Sequence, residues 1–207
     1  FKKLFGGGYN YLAIGNSITK HSICDYWWTE SGMAASKTEN DYFHKTVHSL
    51  EDIYGSVNGF AYNFAIWESQ SSDRAEAVSY IEGFFNENID LVTVQLGENV
   101  VDSSTFESDL QYLVSYIQDN CPEAQIIIIG NFWADDQLDL MKQSVADVNH
   151  TEYLSLSEIQ NKDYYCGIGT VIEDDKGIEH IVNHNGVAKH PNDKAMEYIA
   201  KSIINRL

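Results

Sequence analysis

The chain has 207 residues, 43% of them hydrophobic, enough to fill the core of one domain spanning 1–207. Its 31 acidic residues outweigh 13 basic ones and leave a formal net charge of −18, a field that repels nucleic acid and anionic membrane surfaces. No apolar run approaches the roughly 20 residues that a bilayer-spanning helix needs, and three scattered cysteines (Cys24, Cys121, Cys166) make no metal-type pair and argue against a disulfide framework.

Residues 11–14, closed by Gly15, read as a first strand. Phe43, Val47, Leu50 and Tyr54 then recur at helical spacing across 41–54. Residues 61–65 read as a second strand, followed by a helix over 74–85. Residues 91–96 carry apolar side chains on both parities, as a strand buried on both faces does. A helix over 106–117 presents Leu110, Leu113 and Ile117 on one side. The nearly pure β-branched run 125–129 is a fourth strand, a helix over 138–148 follows, and 153–156 forms a weaker fifth strand. Pro191 opens a closing helix over 191–207, with Met196, Ile199, Ile203 and Leu207 inward.

Such alternation predicts an α/β fold of the flavodoxin-like kind. A five-stranded parallel sheet lies between helical layers as a three-layer α/β/α sandwich, for which strand order 2-1-3-4-5 is suitable. Ligands of open parallel sheets bind beyond the carboxyl ends of the strands. There the sequence places Gly15-Asn16-Ser17-Ile18-Thr19, Asn63 through Glu68, and Gly97-Glu98-Asn99, with His190-Pro191-Asn192-Asp193 before the last helix.

In order and spacing these clusters resemble the blocks of the SGNH/GDSL hydrolase family, over nearly the whole chain. Asn16 stands where that family has Asp, and Val100 where an Asp often follows Gly-x-Asn. The resemblance implies a serine esterase with Ser17 as nucleophile and His190 as base. A serine hydroxyl needs such a base near neutral pH, and the oxyanion formed on attack needs preorganised donors. Those donors are the main-chain N–H of Ser17 and the side chain of Asn99. The second-block glycine falls at Glu68, which completes the candidate oxyanion set and also shapes the pocket.

The Asp that the family carries three residues before its histidine is Val187 here. A main-chain carbonyl in the loop before His190 is the favoured substitute, giving a Ser–His dyad. Glu68, Asp25, Glu30 and the acids at 173–175 are the alternatives. With the reference imidazole pKa, activity is expected to fall below about pH 6–7. No cofactor or metal is expected, because the segment holding His180, His184 and His190 is broken by Gly177 and Gly186 and lacks the Glu of a His-Glu-x-x-His helix.

Trp28 and Trp67 are the candidate substrate-binding aromatics. Small acyl esters, acetyl first, on a glycan or another small molecule are the implied substrates. An acyltransferase using the same Ser and His, or a glycan-binding relic without catalysis, are the competing readings. The start at Phe1 without Met makes the compartment less readable than usual, and with no signal segment in this chain a cytoplasmic setting is slightly favoured over a secreted or cell-surface one.

Overall fold

The computed structural model describes residues 7–70 and 72–207. Five parallel strands form one sheet in the order β2-β1-β3-β4-β5: β1 (Tyr9–Gly15), β2 (Val57–Asn63), β3 (Leu91–Gln95), β4 (Gln125–Ile129) and β5 (Glu152–Leu154). The expected flavodoxin-like α/β architecture is therefore present. Strands β1 and β3 sit at the centre, and the order reverses between them, so the crevice at their carboxyl ends is the switch point.

Side-chain alternation assigns the two sheet faces. Leu12, Ile14, Val92, Val94, Ile126 and Ile128 point to one core, which α4 (Phe106–Asn120) and α5 (Asp136–Asn149) cover. Tyr11, Ala13, Leu91, Ile127 and Ile129 point to the other, under α1 (Tyr42–Tyr54) and α7 (Asp193–Ile204). A third cluster of Trp27, Met33, Ala34, Ile172, Val182, Val187 and Ala188 lies beyond the sheet and anchors the segment leading to His190.

Several boundaries differ from the sequence reading. β2 is an edge strand beginning at Val57 and only half-buried, so its Val-Asn-Gly start shows no apolar run. It stops at Asn63, whose side chain accepts from Ala65 N–H (3.0 Å) and opens the short helix α2 (Ala65–Ser69). The helix expected over 74–85 is instead α3 (Arg74–Ala77) followed by 3₁₀ turns at Val78–Tyr80 and Glu82–Phe84. Arg74 is drawn inward there to cap the carbonyls of Trp67, Glu68 and Asp102 and to pair with Asp109 at 3.2 Å. The last helix begins at Asp193 rather than at 191, capped by Asn192, whose side chain accepts from Lys194 and Ala195 N–H, so Pro191 lies just before it. An antiparallel hairpin of β6 (Val171–Glu173) and β7 (Glu179–Ile181), and a short helix α6 (Asn185–Ala188), were not anticipated. Their segments are too short and too polar to show a period.

Candidate active site

The turn after β1 is built by Asn16. Its Oδ1 accepts from Ile18 N–H at 3.0 Å, and its main-chain oxygen accepts from Thr19 (3.1 Å) and Lys20 (3.0 Å). These bonds fold the chain back at once and leave Ser17 half-buried at the sheet edge. Gly15 is required, since a Cβ there would lie 1.9 Å from Thr19 Oγ1 and 2.8 Å from the Gln95 carbonyl oxygen.

His190 arrives from the far end of the chain. Its Nε2 lies 2.8 Å from Ser17 Oγ, and its Nδ1 lies 2.8 Å from the Gly186 carbonyl oxygen. Since a carbonyl only accepts, Nδ1 carries the proton and Nε2 is free to accept from the serine hydroxyl. The loop is pinned from beneath, where Cys166 N–H donates to the His190 carbonyl (2.9 Å) and Gly167 N–H to that of Ala188 (2.8 Å). Val187 is buried in the third hydrophobic cluster, so the position that would offer an acid anchors the loop by packing instead. Burial pushes the His190 imidazole down to about 4; the Gly186 carbonyl opposes this, and His21 and His184 push the same way as burial.

Glu68 is fully buried and accepts throughout. One carboxylate oxygen takes Asn16 Nδ2 (3.0 Å) and Gly97 N–H (2.5 Å), and the other takes Asn99 Nδ2 (2.6 Å). As a side chain it therefore supplies no donor; it holds the Asn99 amide. Asn99 is exposed and keeps a second N–H on the bonded nitrogen, available to a ligand. The two departures at positions 16 and 68 match each other. Asn16 accepts from the turn and donates to Glu68, whereas Asp at 16 would set two carboxylates in contact. Gly97 (φ +137°) has no room for a side chain, since a Cβ would sit 2.4 Å from Asn131 Oδ1.

Ser17, His190, Gly186 and Val187 line a cavity of about 160 Å³ with His21, Tyr26, Met33 and His184. A larger hollow of about 580 Å³ runs along α1, but Ser49 in its wall spends its hydroxyl on the Lys45 carbonyl at 2.9 Å. Trp67 does not reach the cavity. It is fully buried, edge-on to Phe106 and under the Arg74 guanidinium, so the expectation that it meets substrate is corrected: it is core. Trp28 is half-buried and stacks on His180 (4.5 Å between rings), outside the lining of the Ser17 cavity.

The carboxylates considered as orienters lie elsewhere. Glu30 pairs with Lys20, Glu173 with Lys37, and Asp174 with His180; Asp175 accepts from Thr38 Oγ1, and neither it nor Asp25 lines the Ser17 cavity. His184 stacks on Tyr26 at 4.2 Å. Among the described residues, no group of three His, Cys, Asp or Glu side chains is placed to hold a metal ion. His21 and Met33 enter the cavity wall without a sequence signal, because their loop is irregular, whereas Tyr26 belongs to the aromatic run Tyr26-Trp27-Trp28 that the sequence places near a strand-end loop.

No family model matches the chain, and no curated protein matches it by sequence. Solved structures do match in fold. An acetyl xylan esterase from Geobacillus stearothermophilus is 14% identical with a TM-score of 0.61, covering 98% of this chain and 95% of its own. A phospholipase A1 from Streptomyces albidoflavus is 13% identical with a TM-score of 0.60, covering 97% of this chain and 100% of its own. A salicylyl-acyltransferase from a tetracycline biosynthetic pathway is 14% identical at 0.57, covering 96% of this chain and 54% of its own. These likenesses show the fold, which the chain shares with all three.

Proposed function

We propose that this chain is a serine ester hydrolase that removes small acyl groups, acetyl first, from carbohydrate or other small esters. The observation that carries the reading is the Ser17–His190 pair at 2.8 Å, with Nδ1 of the same ring on the Gly186 carbonyl. His190 Nε2 takes the hydroxyl proton as Ser17 Oγ attacks the ester carbonyl. The tetrahedral oxyanion is met by Ser17 N–H and the open N–H of Asn99. The imidazolium returns the proton to the leaving alcohol, and water then hydrolyses the acyl-serine by the same relay. A cavity of about 160 Å³ beside Ser17 suits a small acyl group better than a long chain. The carbohydrate preference leans on the acetyl xylan esterase, which shares the fold.

The acyltransferase with this fold favours one alternative, transfer of the same acyl-serine to an acceptor hydroxyl. Labelling with a serine-directed phosphonate tests the core of the proposal. Covalent modification of Ser17 is expected, and an unmodified Ser17 under conditions that label other serine esterases removes both readings. A burst without acceptor, followed by faster turnover with one, marks the transferase.

The pH dependence follows from His190. Only the neutral ring accepts the serine proton, so activity is present above its pKa and lost as pH falls through it. With that pKa near 4, kcat holds through pH 5–6 and drops only around pH 4. This revises the window of 6–7 that an exposed histidine would give, since burial disfavours the charged ring. The same shift acts on stability. The unfolded chain takes up this proton below about pH 6.5 while the folded one resists it, so folding stability is lost between those values as pH falls. A kcat–pH profile with its acid limb at 6–7 would contradict the assignment.

Glu68→Gln tests the role of the buried carboxylate. Glutamine keeps the shape but has one accepting oxygen, so Asn99 or the Asn16–Gly97 side loses its partner. We expect kcat to fall about 10- to 100-fold at nearly constant KM, because a mispositioned oxyanion donor is felt in the transition state. Unchanged kcat in the folded variant would mean that Asn99 is held without Glu68.

A further inference from the structure

The middle residue of the Gly97-Glu98-Asn99 turn has no part in the chemistry proposed so far, yet it is tied to the opposite side of the site. Glu98 Oε1 accepts from Phe132 N–H at 2.5 Å and from Gln95 Nε2 at 3.3 Å, and its Oε2 accepts from Trp133 N–H at 3.4 Å. Those two main-chain donors belong to the loop leaving β4. Beneath the same loop Lys142 is fully buried, donating from Nζ to the Ile129 carbonyl (3.1 Å) and to Asn131 Oδ1, and it attracts Glu98 through the protein interior.

What this clamped loop presents is the indole of Trp133. The ring stands at 87° to the His190 imidazole with centroids 4.9 Å apart, and its Nε1 donates to the Lys189 carbonyl at 3.1 Å. Trp133 thus touches the histidine ring and ties the residue before it. His190 lacks a carboxylate partner; a neutral carbonyl holds its Nδ1 side and the Ser17 hydroxyl its Nε2 side, so its orientation rests on two neutral hydrogen bonds. The nearly perpendicular Trp133 ring adds a packing contact that restricts rotation of the imidazole about its own side-chain torsion.

We propose that Glu98 and Trp133 act as one positioning unit, Glu98 clamping the loop after β4 so that the Trp133 indole holds the His190 imidazole in line with Ser17. In its kinetic consequence the proposal rests on the serine hydrolase reading; in its structural content it does not.

The experiment therefore uses two readouts. Imidazole ¹⁵N NMR of the intact chain reports the His190 tautomer, and steady-state kinetics on a small acetyl ester report turnover. Trp133→Leu replaces a half-buried side chain and should fold. It is expected to convert His190 from a single Nδ1–H tautomer to a mixture and to lower kcat about 10- to 100-fold with KM within about twofold, the scale expected for loss of alignment. Trp133→Phe, which restores an aromatic edge, should recover most of both signals. Glu98→Ala should reproduce the Trp133→Leu effect, and the double variant should be no worse than the poorer single one, since both act through one contact.

An unmixed tautomer in folded Trp133→Leu, or losses that multiply in the double variant, overturns the proposal. Phosphonate labelling of Ser17 in the unaltered chain separates this outcome from failure of the hydrolase reading. If Ser17 is inert the activity assignment falls, while the tautomer measurement still decides whether Trp133 holds the ring.

Discussion

Ser17→Ala is expected to lower kcat on a small acetyl ester by at least about 10³-fold while leaving the fold intact, the scale seen when a nucleophile is removed from a serine-hydrolase triad. The size follows from the position of the hydroxyl. Among the described residues no other serine or threonine lines its cavity, and its hydroxyl is hydrogen-bonded to His190 Nε2. Without it His190 can at most activate water, which is neither held at 2.8 Å nor retained as an acyl intermediate. The fold should survive because Ser17 is half-buried and the turn around it is made by Asn16 and main-chain atoms. Circular dichroism and thermal unfolding beside the kinetics check both halves. Near-normal turnover in the folded variant would sink the nucleophile assignment.

Asn99→Ala is expected to lower kcat by about 10²–10³-fold with little change in KM, because an oxyanion donor is felt most where charge develops. The side chain is exposed, so its removal opens no cavity in the core. What it leaves behind is one oxygen of Glu68 short of a donor, at a site open enough for water to replace it. Stability should therefore change little, which separates this variant from Glu68→Gln, where buried donors lose an acceptor. A rise in KM at constant kcat would mark Asn99 as a substrate-binding residue.

The architecture is legible in the sequence, and so is the nearness of Ser17 to His190 that the fold brings about. Strands β1, β3 and β4 are legible because both of their faces are buried, which puts apolar residues on both parities. The helices α1, α4, α5 and α7 are legible because each buries one stripe against the sheet and leaves the other in water. Ser17, Asn99 and His190 stand out because their clusters, two past strand ends and one before the last helix, follow the order of the blocks in the family that the sequence resembles. Edge elements are less readable: β2 is part-exposed, the β6–β7 hairpin is part-exposed and short, and the 74–85 segment bends where Arg74 turns inward to carbonyls that only the fold brings near.

Tertiary structure alone decided what each site residue faces. Trp67 and Trp28 are alike in sequence as aromatics near strand ends, yet one is core and the other stacks on a histidine of the hairpin. The acceptor on His190 Nδ1 is a main-chain oxygen, which no side-chain pattern encodes; the buried Val187 beside it shows only in space why no acid stands there. Asn16 and Glu68 each look like a lost motif residue when read alone, and become one matched contact across 52 positions once the first two strands are paired. Hydrophobic period records burial and so survives in the sequence. Hydrogen-bond partnership between distant residues has no period, and only the folded chain records it.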